Sequence, residues 1–67
     1  MSRIEKVVKG QIKPVGYSEE YAIAAWKGIN GDDAQAEKAA RLAAKIGYKK
    51  AWAIDQEIEK LIEGEGK

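Results

Sequence analysis

The sequence has 67 residues, no Cys, no His and a formal net charge of +1, which bounds it to one domain near the lower size at which a hydrophobic core outweighs chain entropy. The missing Cys and His exclude disulfides and a conventional zinc site, and they remove the side chains that most often act as nucleophile or base near neutral pH. The longest uncharged run, residues 21 to 26, is far too short for a membrane span, so a cytoplasmic protein with no membrane partner is expected.

In chain order, Ser2 followed by Glu5 has the capping-box spacing, and Gly10 stands where a left-handed residue ends a helix, which gives a short helix over residues 3 to 9. The β-branched Ile4, Val7, Val8 and Ile12 leave a strand open for the same stretch. Pro14 and Gly16 make residues 10 to 17 an extended connector.

Ser18 is expected to cap a helix with Glu19 and Glu20 in its first turn, running to about Ile29, where Asn30 and Gly31 stop it. Asp32, with Gln35 three residues on, caps a third helix over residues 33 to 46, which ends at Gly47. The last helix starts near Tyr48 and fades at Glu63. The fold class is therefore all-α, a small three-helix domain with a short N-terminal helix or strand and an extended connector. Its organisation is an arm (1–17), a helical core (18–63) and a disordered tail (64–67).

Helical periodicity puts Ala36, Ala39, Ala40, Leu42, Ala43 and Ile46 on one stripe, narrow enough for a tight hairpin with the last helix, whose stripe is Ala51, Ile54, Ile58, Leu61 and Ile62. The expected core is Tyr21, Trp26, Ile29, Leu42, Ile46, Ile54, Ile58 and Leu61. Trp52 falls off its helix's stripe, on the side of Tyr48, Asp55 and Glu59, and is expected at the surface or in an interface.

The charges come in blocks of +3 (residues 1–16), −4 (17–37), +5 (38–52) and −3 (53–67), a segregation that lets a nearly neutral chain show opposite signs to different partners. The +5 block holds Lys38, Arg41, Lys45, Lys49 and Lys50 with the aromatics Tyr48 and Trp52. Ammonium and guanidinium groups neutralise phosphates and flat rings stack on bases, so Arg41, Lys45, Tyr48, Lys49, Lys50 and Trp52 are the candidate nucleic-acid-binding residues. Arg41 also has Glu37 one turn before it as a possible ion-pair partner.

Ala43 and Gly47 resemble the small-residue and turn positions of a helix-turn-helix, with Lys49 and Lys50 opening its second helix. Against that pattern, Ile54 and Ile58 fall one residue late, both helices are long, and Asp55, Glu57 and Glu59 repel phosphates. Asn30, Gly31, Asp32, Asp33 and Glu37 do not make a calcium loop, since Ala34 and Ala36 replace ligands. No catalytic residue, metal site or cofactor is expected. The leading function is a small non-catalytic regulator binding nucleic acid through the basic hairpin of residues 36 to 61. The alternative is a protein-interaction module, as a homodimer or with another partner, anchored by an exposed Trp52.

Overall fold

Four helices follow one another in the computed structural model, which describes residues 3 to 65: α1 (Arg3–Val8), α2 (Gly16–Ile29), α3 (Asp33–Ile46) and α4 (Tyr48–Glu65). The N-terminal segment is thus a helix, not a strand. Gly10, at φ +77°, ends it, and the N–H groups of Gly10 and Gln11 return to the carbonyls of Val7 and Lys6. Ser2, half of the expected capping box, lies outside the described residues, as do Gly66 and Lys67.

Helix α2 begins three residues earlier than expected, and Ser18 is not its cap. Gly16 adopts φ +81°, a conformation that costs a glycine little, and turns the chain into the helix directly after the extended Val15. The capping role passes to Glu19, whose Oε1 accepts the Val15 N–H at 2.7 Å. The same carboxylate takes both Nε and Nη2 of Arg3, so a two-pronged ion pair ties α1 to the start of α2.

At the other end of α2, Asn30 Nδ2 donates to the Trp26 carbonyl at 2.8 Å. Asp32 then caps α3 as expected, accepting the Gln35 N–H at 3.1 Å. Its own N–H donates to the Lys27 carbonyl at 3.0 Å, so the reciprocal half of the capping box is taken over by the backbone of α2. Helix α4 continues through Gly64 to Glu65, two residues beyond the expected end.

The tight helix pair is α2–α3, not the expected α3–α4 hairpin, and α2 packs most extensively along α3. Gly28 explains the choice. A Cβ at that position would stand 2.9 Å from Ala36 Cα, so the two backbones approach as closely as a missing side chain allows, and the small residues of α3 serve this contact.

Buried side chains include Tyr21, Leu42, Ile54 and Ile58 as expected, together with Val7 and six alanines: Ala22, Ala24, Ala25, Ala39, Ala43 and Ala51. Trp26 and Ile46 are half-buried against this cluster, and Leu61 is half-buried. Ile29 is a correction to the expected core, for it is 56% exposed. It sits in the last turn of α2, beyond the close Gly28–Ala36 contact, where no element covers it. Val7 is the converse case: it is only 1% exposed, because α1 packs on both α2 and α4. The radius of gyration, 10.9 Å, equals the ~11 Å expected for a folded chain of this length.

Candidate nucleic-acid interface

The six candidate residues fall on the two sides of one backbone break. Arg41 and Lys45 are successive turns of one face of α3, and Tyr48, Lys49 and Lys50 form the first turn of α4, with Trp52 in the next. Only Gly47 separates the helices, at φ +95° and ψ +141°, a region open essentially to glycine alone. A one-residue break is shorter than the turn of about three to four residues in a helix-turn-helix. It nevertheless holds the cationic turns of both helices near one junction.

All six side chains are exposed. Tyr48 is 78% and Trp52 65% accessible, so both rings keep open faces. The expected Glu37–Arg41 pair is not formed, and among the described residues Lys38, Arg41, Lys45, Lys49 and Lys50 have no carboxylate partner. Lys45 instead places Nζ 4.8 Å from the centre of the Tyr17 ring, a cation–π contact that orients the ammonium without cancelling its charge. Sequence reasoning missed Tyr17, which it had left in the connector.

Helices α2 and α3 carry Glu19 and Asp33 in their first turns, whereas α4 has no acid there. The positive end of the α4 dipole therefore adds to Lys49 and Lys50 instead of being neutralised. The acidic half of α4 lies further along. Asp55 is held inward, accepting the Tyr21 hydroxyl at 2.7 Å. Burial, then this hydrogen bond and the nearby carboxylate charge, push the Tyr21 phenol well above its ordinary range.

A second feature was not foreseen. An open groove of about 400 Å³ runs between α2, α3 and α4, floored by Ala25, Gly28, Ile29, Ala36 and Ala39 and rimmed by Asp55 and Glu59. No group of three or more metal-ligating side chains occurs among the described residues, and no helix there is long and apolar enough to cross a membrane. No protein-family model matches the chain, and no curated protein or solved structure is significantly similar to it.

Proposed function

We propose that this protein is a small non-catalytic regulator that binds nucleic acid through the basic α3–α4 junction. The reading is supported chiefly by one observation: five cations within thirteen residues are exposed and, among the described residues, unpaired with any carboxylate. Arg41, Lys45, Lys49 and Lys50 contact phosphates, while Tyr48 and Trp52 offer faces for stacking. The short break between the helices favours contact with the phosphate backbone over reading of base edges. The test is a binding isotherm against generic duplex DNA at low and at moderate salt. The reading requires binding that weakens steeply with salt, and absence of binding at low salt removes it.

A second reading, a protein-interaction surface anchored by Trp52, is favoured by the 65% exposure of that indole, since exposed tryptophans are frequent anchors of interfaces. It requires an association that salt weakens far less than it weakens phosphate binding.

A further inference from the structure

From the placement of Trp52 and the groove on one edge of α4, we infer that two copies of this chain pair about a two-fold axis. In that dimer each Trp52 seats in the other copy's groove, and the two α4 helices run antiparallel. The inference rests on the interaction reading of Trp52 and names its partner.

Trp52 lies three residues before Asp55 and seven before Glu59, the two rim residues that α4 gives to the groove. These spacings keep all three on one side of the helix, with the indole ~4.5 to ~10.5 Å along the axis from the rim. Projection and recess are thus neighbours on the same edge. A two-fold axis perpendicular to α4 and passing beside it, level with Asp55, brings each projection over the other copy's recess in a single docking, which is the condition for an isologous interface.

The charges away from the axis agree with this arrangement and oppose the parallel one, while each Asp55, near the axis, has its carboxylate turned to the Tyr21 hydroxyl. Lys49 stands one turn before Trp52 on the exposed face, and Glu59 and Glu63 occupy the same face further along. Antiparallel apposition sets Lys49 opposite the partner's Glu59 and Glu63, whereas parallel apposition stacks like charges. The floor of the groove also needs a cover. Ile29 is 56% exposed there, and the indole is the large apolar side chain on the adjoining edge.

A standard interface takes about 800 Å² from each partner, a large share of the 4610 Å² surface of this chain, so the dimer belongs to the small, weak class. Sedimentation equilibrium from about 1 μM to about 1 mM spans the corresponding range. The expected result is a reversible monomer–dimer equilibrium whose dissociation constant rises at least tenfold in Trp52→Ala, with the helical circular dichroism signal unchanged. Lys49→Glu and Glu59→Lys should each weaken the dimer, and the two together should restore it. A chain monomeric throughout overturns the second copy as occupant and leaves the anchor to a different protein. A dimer indifferent to Trp52→Ala overturns both this pairing and the anchor itself, and a dimer that the double charge exchange does not restore overturns the antiparallel register.

Discussion

Tyr21 and Asp55 join the middle of the fold to α4 through one hydrogen bond of 2.7 Å, with the tyrosine 6% exposed. Tyr21→Phe keeps the ring and leaves the half-buried carboxylate without its donor, so a loss of about 1.5 to 3 kcal/mol is expected in urea unfolding. The bond also has a pH signature. Because the folded phenol titrates above the unfolded value near ~10, its contribution is complete below that pH and is lost as the pH rises further. The phenylalanine variant should lose less stability than the wild type between neutral pH and about pH 11. Glu19 works in the opposite direction: the Arg3 hydrogen bond first, and the Val15 N–H second, hold its carboxyl below the usual range. Its contribution is present above the unfolded value of ~4.3 and disappears as the pH falls through the lower folded one. Glu19→Gln should therefore flatten the acid limb of the melting-temperature profile.

At the scale of elements, two glycines inside helices make opposite demands. Replacing a helical glycine by alanine ordinarily gains about 0.5 to 1 kcal/mol. Gly64 has open space at its Cβ position, and Gly64→Ala should realise up to about that gain. Gly28→Ala, by contrast, drives a methyl to 2.9 Å from the α3 backbone and should cost about 1 to 3 kcal/mol as α2 and α3 are forced apart. Thermal melts of the two variants should move in opposite directions. The same contact explains why the packing of the alanine stripe was misread. Periodicity marks which side of α3 is buried, and the Asp32 cap and the breaks at Gly31 and Gly47 are local enough to read from residue types. Which neighbour the stripe meets depends on Gly28, a property of α2. Ser18 misled for a related reason: an apt capping residue lost its place to the positive φ of Gly16 and a carboxylate turned back from one turn later. Within the candidate site, the outward position of Trp52 followed from its angle on the helical wheel. The Lys45–Tyr17 contact and the groove did not, because each joins residues from helices whose relative placement no local pattern encodes.

For the whole molecule, phosphate binding predicts a quantity beyond loss of affinity. Each phosphate neutralised contributes about 0.9 to the slope of log affinity against log salt on duplex DNA. Replacing Lys45, Lys49 and Lys50 together by Gln should reduce that slope by up to about 2.7 while lowering the melting temperature by no more than a few degrees, since all three are exposed and the loss is that of the Lys45–Tyr17 contact. A titration series at several salt concentrations, run beside a thermal melt, checks both halves of the statement.

The alanines of the core bear on a different property. Among the described residues six of the eleven buried side chains are alanine, and each exposes less apolar area on unfolding than a leucine or isoleucine would. The heat-capacity increment of unfolding scales with that area, and an average chain of this length would give about 0.8 to 1.0 kcal/mol/K. A value below that range is expected from calorimetry. A small increment makes stability vary gently with temperature, so a core that contributes little at its optimum also loses little away from it, and the fold should persist over a wide thermal range with a low, broad maximum.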